Sequence, residues 1–488
     1  MSLFNCNIHK IEIKQNIYDI CIIGTGLANY PILKELLSIN SKLKVAVLEY
    51  GSLHDLKKYE YSPNSDFIRK DFEQMYLGFG GNSQKWANRL MLDNTFDGYF
   101  QNLLSNKSNL TKVLKYFGLK SIDFSINQHL GNDTFITNKA IWPKKVLRIQ
   151  NDNDLIKKII NKFDLYLNYN AKYFTIENKT FKEVVSNNNL KIKSKNFILG
   201  CGGIENAKIL LRSKYMNKVV FDGTNQIGKY LSDHPKKNIF KLKNFNNNLD
   251  YLLPKYNLKY KSQIGMNLNN KIILKEKIHK INFNINYKLN DKYEKTINQI
   301  IDKIKNKRNL YNLTNYKFLL ENLYYHVPKE NFFYYYFYFF QKIKKKSNHL
   351  DYYVDIFTEQ PMSINNSIRL LNFNEDTFDI TNNIHSNLNN SIDISCDYFK
   401  KFLNKYSIDF EYIDKNLSDA SHILCTTKVS ENDKNGVVDE NCKMHSFDNI
   451  YITGSSCFPS VGYFNPTLFI MLQSLKTLDY ILKNENCL

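Results

Sequence analysis

Apolar residues cluster at Ile20, Cys21, Ile22 and Ile23, with polar residues on either side. A short unbroken apolar run of this kind predicts a strand buried on both faces. Ile32, Leu33, Leu36 and Leu37 then recur at helical spacing. Lys44 to Leu48 reads as a second strand, ending on Glu49. Strand, helix and strand together make a βαβ unit of about the expected length. The same motif returns later. Asn196 to Gly200 is a strand followed by a helix through Ile209, Leu210 and Leu211. Asn449 to Thr453 is a strand followed by a helix from Thr467 to Leu482. Asp152 to Phe163 predicts a helix with Leu155, Ile156, Ile159 and Ile160 on one face, and Phe96 to about Tyr116 is also helical.

Two other stretches have period two. Leu165 to Lys193 alternates and breaks at Asn-rich turns, which predicts a small antiparallel sheet. Asp351 to Leu370 is also β-like. Residues 236 to about 414 are rich in Asn, Lys, Tyr and Phe and poor in glycine, with a helical stretch near Asp291 to Lys307. Within them lie nine consecutive aromatics, Phe332 to Phe340, then Lys342, Lys344, Lys345 and Lys346. Nine residues are too few to cross a bilayer. The run reads as a core or pocket-lining segment, with an interfacial patch for anionic lipid as the alternative.

The first junction carries chemistry. Gly24 permits a sharp turn, and Gly26 has no Cβ, so a pyrophosphate can approach the backbone. The next helix begins with unpaired N–H groups and a positive dipole end. Glu49 lies 23 residues beyond Gly26, where a carboxylate can accept both ribose hydroxyls of an adenosine. Asn29 stands where a third glycine is expected, which predicts looser packing of helix on strand. A second dense loop, Gly78, Gly80 and Gly81 followed by Asn82, Ser83 and Trp86, suits either a flat polar ligand or a plain turn with a core tryptophan. Gly202, Gly203 and Glu205 sit at another strand-to-helix junction, suited to the far side of the same site. Near the C-terminus come His422, then Gly454 and Ser455, then Asn465 and Pro466 at the foot of the last helix. A lone histidine is more often structural than catalytic.

Composition narrows this reading. The net charge of +20 invites a nucleic-acid or membrane partner. The crowding of Lys, Asn, Ile, Tyr and Phe fits AT-rich codons, and no nucleic-acid module accompanies the charge, so it reads as generic basic surface and no nucleic-acid partner is expected. None of the eight cysteines forms a C-x-x-C pair, so no metal site or redox dithiol is expected and free thiols fit a reducing compartment. The N-terminus lacks an apolar signal region, and no run is long enough to span a membrane. A cytoplasmic protein follows, with weak peripheral association at the inner membrane face through Phe332–Lys346 as the secondary expectation.

The segments resemble one family when taken in order: GTGLAN with Glu49, GFGGNSQKW, FILGCGGIENAKILL, NQIGKYLSDHP, TEQPM with NSIRL, and SHILCTTK through GVVDENCKMHSFDNIYITGSSCFP to FNPTLFIM. They are similar to the glucose–methanol–choline flavin oxidoreductases over both ends and most of the flavin domain, and thinly across residues 236–350. The resemblance implies an α/β fold: a Rossmann-like FAD-binding domain from residues 1–100, 145–235 and 415–488, and an α+β substrate domain on an antiparallel sheet from 101–144 and 236–414. It implies FAD, held by Gly24, Gly26, Leu27, Glu49, Gly80, Gly81, Asn82, Ser83, Gly202, Gly203, Glu205, Gly454, Ser455, Asn465 and Pro466. No histidine lies within Asn82–Arg89 for a covalent link in that loop. His422 falls at the catalytic histidine and Asn465 at its partner, for oxidation of a sugar, polyol or other alcohol with an unidentified electron acceptor. The form of the C-terminal signature resembles members that act on carbohydrate. Asn29 and Cys425, where relatives usually carry glycine, leave open a flavin-binding member without activity. Two further classes compete with this reading: a hydroxylase using NAD(P)H, and a non-catalytic membrane- or partner-binding protein. No second dinucleotide fingerprint supports the hydroxylase.

Overall fold

The structure is a computed structural model. It describes residues 3–5, 17–39, 42–55, 57–59, 64–65, 75–84, 86–92, 98–120, 129–217, 225–243, 245, 247–257, 259–289, 350–384, 386–413 and 416–484. The aromatic run Phe332–Phe340, its lysines and the helical stretch expected at Asp291–Lys307 lie outside the described residues.

Two sheets carry the chain, and the fold is mixed α/β. In the first, Leu3–Asn5, Asp164–Leu167, Val45–Glu49, Tyr18–Ile23 and Lys191–Leu199 lie side by side in parallel, and Ile450–Ile452 pairs in parallel with Lys191–Leu199. Helices Tyr30–Ser38 and Gly202–Met216 follow two of these strands, as the apolar pattern predicts. Ala171–Glu177 and Thr180–Ser186 extend the sheet as an antiparallel hairpin on Lys191–Leu199. The period-two stretch from Leu165 thus divides. Its first strand joins the parallel sheet beside Val45–Glu49, because Leu165, Tyr166 and Leu167 are all buried and need cover on both faces. Each such aliphatic side chain contributes about 2 kcal/mol on burial.

The second sheet is antiparallel, with nine strands among the described residues. Its main path runs Phe410–Tyr412, Lys236–Leu242, Leu350–Thr358, Ile281–Leu289, Tyr260–Leu268, Phe135–Pro143 and Leu90–Leu92. Its two faces differ in chemistry. Ile281, Phe283, Ile285, Val354, Ile356 and Met266 point one way, into a core with Leu388, Ile392, Phe399 and Phe402 of helix Ser386–Lys405. Phe283 stacks on Phe399 at 4.4 Å. The intervening residues Asn282, Asn284, Gln263, Asn267 and Asn138 point the other way, and they too are buried. Asn138, Gly265, Asn284 and Asp355 stand in one row across four strands. A Cβ on Gly265 would lie 2.7 Å from both Asn138 Oδ1 and Asn282 Oδ1, so glycine is what lets these amides meet. Ser367–Asn372 forms a separate small sheet with Thr377–Asn382 and Asn64–Ser65. Thr358 of TEQPM ends a strand of the antiparallel sheet, whereas Ser367–Leu370 of NSIRL belongs to this small sheet.

The ends of three parallel strands converge on Asn29. Its Nδ2 donates to Ile23 O at 3.0 Å and Gly24 O at 2.8 Å, and its Oδ1 accepts from Thr453 Oγ1 at 3.0 Å. The side chain is fully buried and fills the space a Cβ on Gly200 would occupy, 2.5 Å away. The looser packing expected at this position is not found: asparagine and glycine have exchanged volume across the contact. Asn29→Ala should lower the thermal unfolding midpoint, since about 2 kcal/mol follows from stranding its buried partners. Gly200→Ala should also destabilise. The two losses should be less than additive in the double variant, because removing the amide makes room for the methyl; strictly additive losses would contradict the exchange.

Candidate functional site

The glycine loops predicted to hold a cofactor meet at Thr25. Gly80 N–H donates to Thr25 Oγ1 at 2.9 Å, and Thr25 Oγ1 donates to Glu49 Oε2 at 2.6 Å. Glu49 also accepts from Thr25 N at 3.1 Å and Gly51 N at 2.9 Å. Burial pushes its carboxyl up, and those hydrogen bonds oppose the shift. The Tyr50 backbone adds a further hydrogen bond, so most of the acceptor capacity of the carboxylate is used internally.

Whether FAD fits is first a question of space. A Cβ on Gly26 would meet nothing within 4 Å, and the same holds at Gly202. Gly81 faces Gly26, with its Cβ position 3.8 Å from Gly26 Cα. Helix Tyr30–Ser38 has no side-chain cap, because its cap residue Asn29 is turned back into the sheet. Beside Glu49 a cleft of about 210 Å³ is lined by Tyr50, Gly51, Leu77, Asn168 and Asn170. Open space at an uncapped helix start, with a carboxylate and a polar cleft beyond it, fits a dinucleotide.

The remaining predicted positions divide. Gly454 lies near Ala28, with φ +110° that favours glycine, and Leu27 lies half-buried in the first turn. Gly203 is backed by Ile423, 2.5 Å from its Cβ position, so it permits packing. Asn82 Oδ1 accepts from Tyr76 N, and buried Ser83 shares its hydroxyl with Gln84 and Ile149. Glu205 pairs with Lys208 at 3.1 Å. Ser455 Oγ donates to Ile423 O, and Pro466 is buried. Trp86 donates to Leu147 O and packs on Phe117, anchoring the second glycine loop.

His422 and Asn465 come together: Asn465 Nδ2 lies 3.4 Å from His422 Nε2, and both residues keep some exposure. Sequence reasoning missed the group behind them. His234 is fully buried, with Nε2 2.9 Å from Val461 O and Nδ1 2.9 Å from His422 Nδ1. A carbonyl only accepts, so His234 Nε2 carries hydrogen. Burial lowers the His234 pKa to about 4, so the ring is neutral and Nδ1 is an acceptor. His422 Nδ1 must then be the donor. Burial, then the electrostatic influence of His234, Lys236 and Arg89, hold the His422 pKa well below the ordinary value, so with Nδ1 as donor its Nε2 is an acceptor facing Asn465 Nδ2.

The loops carrying both histidines pair irregularly through Ser232 with Leu424 and Lys236 with Ser418. Asp233 fastens them. Its Oδ1 accepts from His234 N at 2.6 Å and His422 N at 3.0 Å, and its Oδ2 accepts from Ala420 N at 3.2 Å. Burial and neighbouring Asp419 push its pKa up to about 7 despite these donors. Cys425, three residues beyond His422, has φ +68°, the conformation that glycine adopts most readily. The signal for Asp233 and His234 was present in NQIGKYLSDHP, but sequence spacing alone does not bring His234 to His422. Among the described residues, no group of three or more His, Cys, Asp or Glu is placed to hold a metal ion, and no helix is long and apolar enough to cross a membrane.

Residues 396–473 match the family described as GMC oxidoreductase. A 62-residue segment is 34% identical to pyranose 2-oxidase of Tricholoma matsutake, a match spanning 13% of this chain and 11% of that protein. Formate oxidase from Aspergillus oryzae RIB40, in a variant studied for modification of its FAD, has a similar fold. It shares 13% identity with a TM-score of 0.52, over 97% of this chain and 100% of that one. Pyridoxine 4-oxidase from Mesorbium loti is similar at 11% identity and a TM-score of 0.53, over 96% and 100%.

Asp233→Asn replaces one acceptor oxygen with an amide nitrogen facing a backbone N–H. At least one buried donor loses its partner, a loss of about 1–3 kcal/mol. The thermal unfolding midpoint should fall; an unchanged midpoint would remove Asp233 as the fastener of the histidine loops.

Proposed function

We propose that this chain, a GMC oxidoreductase by its C-terminal segment and its fold, oxidises the CH–OH group of a sugar, polyol or other alcohol, with His422 as base and Asn465 as its partner. It is a flavoprotein whose cofactor is FAD, for which Gly26, Gly81, Gly202 and Glu49 offer the open space and the adenosine-side carboxylate. The division into an FAD-binding part and a substrate-binding part remains the reading made from the sequence, with Leu90–Leu92 contributing to the antiparallel sheet. Bound FAD supplies a two-electron acceptor for the hydride of the carbinol carbon.

The single observation that carries this reading is the direction of the hydrogen bonds from Val461 O through His234 to His422. That direction leaves His422 Nε2 able to take the proton of a substrate hydroxyl. Asn465 Nδ2, beside it, can donate to the same oxygen and hold the developing alkoxide. His234 touches no substrate in this arrangement; it fixes the tautomer of the base. Buried Phe464, Phe458 and Phe100 pack behind the Asn465 turn and hold it in place.

His422→Ala should retain FAD and lose about 10²- to 10⁴-fold in the anaerobic rate of flavin bleaching by substrate. An unchanged rate would remove His422 as base. The pH profile has a definite sign. The reactive form is neutral histidine and its pKa is depressed, so activity is present above that value and lost as pH falls through it. The bleaching rate should stay level as pH drops through 6.5, the ordinary histidine value, and decline only below it. A decline centred above 6.5 would contradict a base whose pKa is depressed.

A further inference from the structure

Resting on the proposed alcohol oxidation, we infer that the substrate is a polyhydroxylated alcohol that also carries an oxyanion, a carboxylate or a phosphate, received by the Arg89 guanidinium on the polar face of the antiparallel sheet. Arg89 is 6% exposed. It is clamped between Trp142 and Phe357, whose rings lie 5.0 Å from its guanidinium carbon on each side. Both rings are themselves partly exposed, so the clamp borders an opening. Among the described residues no carboxylate reaches Arg89 within ion-pair distance. Among the described residues its one hydrogen bond, from Nη2 to Asn284 Oδ1, is long at 3.4 Å, and Nε has no partner. A buried guanidinium left this way is costly unless a ligand anion completes it. Its planar fork is matched to a carboxylate or phosphate.

The neighbouring charges reinforce the sign. Asp355 lies under the influence of Arg89, Lys261 and Lys236, so three cations answer one carboxylate. Lys261 also stands over the Trp142 ring, 4.5 Å from its centroid. Burial lowers Arg89 to about 10 and Lys261 to about 8 and raises Asp355 to about 6, so the positive excess persists at neutral pH. The site is also close to the base. Arg89 and Lys236 both act on His422, and Phe357 precedes Thr358, whose N–H and hydroxyl bond to Pro235 O next to His234.

The same face reads hydroxyls. Asn138 Nδ2 donates to Asn282 Oδ1 at 2.6 Å, and Asn282 Nδ2 donates to Asn284 Oδ1 at 3.1 Å, the oxygen that Arg89 also meets. The chain of amides ends with one unused acceptor, Asn138 Oδ1, and one unused donor, Asn284 Nδ2. A hydroxyl both donates and accepts, and a sugar or polyol offers several. An apolar alcohol would strand these amides. An alcohol with hydroxyls and no anion would leave Arg89 unanswered.

The test compares matched probes on the FAD-loaded enzyme near neutral pH: D-glucose, D-gluconate, D-glucuronate and D-glucose 6-phosphate. Dissociation constants are measured by equilibrium dialysis, which does not depend on turnover. At least one anionic probe should bind about tenfold or more tighter than glucose. Arg89→Gln should erase that advantage, and Arg89→Lys should keep part of it. A preference for gluconate and glucuronate marks a carboxylate, and one for the phosphate ester marks a phosphate. Equal binding of all four by the wild type overturns the inference without needing any variant. Flavin content and unfolding midpoints of the variants separate misfolding from lost recognition. If anionic probes bind tightly through Arg89 but no alcohol bleaches the flavin, the proposed oxidation fails and only the anion site at Arg89 stands. If neutral sugars bleach the flavin and anionic probes gain nothing, the reverse holds.

Discussion

Three parallel strands end at one point, and what fills that point decides much of the rest. Ile23, Leu199 and Ile452 close their strands beside Asn29, whose amide bonds to the first turn and to Thr453. Gly200 gives up its side-chain volume so the amide can sit there. The consequence is directional. With Asn29 turned inward, the start of helix Tyr30–Ser38 is left uncapped beside the open space at Gly26. The C-terminal strand is locked in register, which fixes the Gly454–Cys457 turn and the loop that returns to Asn465. The candidate cofactor cradle and the candidate base–amide pair are thus tied to one crowded polar contact.

From that contact the polar groups form continuous chains with defined direction. Gly80 to Thr25 to Glu49 ties two glycine loops together. Val461, His234 and His422 set which nitrogen carries hydrogen, and Asp233 holds the backbone that presents both rings. In a low-dielectric interior such chains are strong only when each member is satisfied, so direction carries chemical information. The antiparallel sheet breaks that pattern on its polar face, where Arg89, Asn138 and Asn284 keep unused atoms. These three stand close together on one face, which is the ground for the inferred anion and hydroxyl site.

Much of this was legible in the sequence where the pattern was local. The apolar runs at Ile20–Ile23 and Lys44–Leu48 and the helical spacing between them specify the βαβ unit directly, since a strand buried on both faces has few alternatives. His422 and Asn465 were found through the resemblance of their surrounding segments. What was not legible depended on contacts distant in sequence. Asn29 read as a defect because its compensating partner, Gly200, is 171 positions away. His234 could not be assigned because only the paired loops bring it to His422. The strict alternation Ile281, Asn282, Phe283, Asn284, Ile285, Asn286 does signal a strand with one polar face. Its asparagines blend into a composition crowded with asparagine, so the buried amide row needed the structure.

The measurement that tests the central claim most directly is the visible spectrum of the purified protein before and after anaerobic addition of a panel of sugars, sugar acids and other alcohols. The account predicts a two-band flavin spectrum that bleaches with at least one hydroxylated compound. A protein that takes up no flavin even after incubation with FAD would contradict it, as would a bound flavin that no alcohol bleaches and NADPH bleaches rapidly.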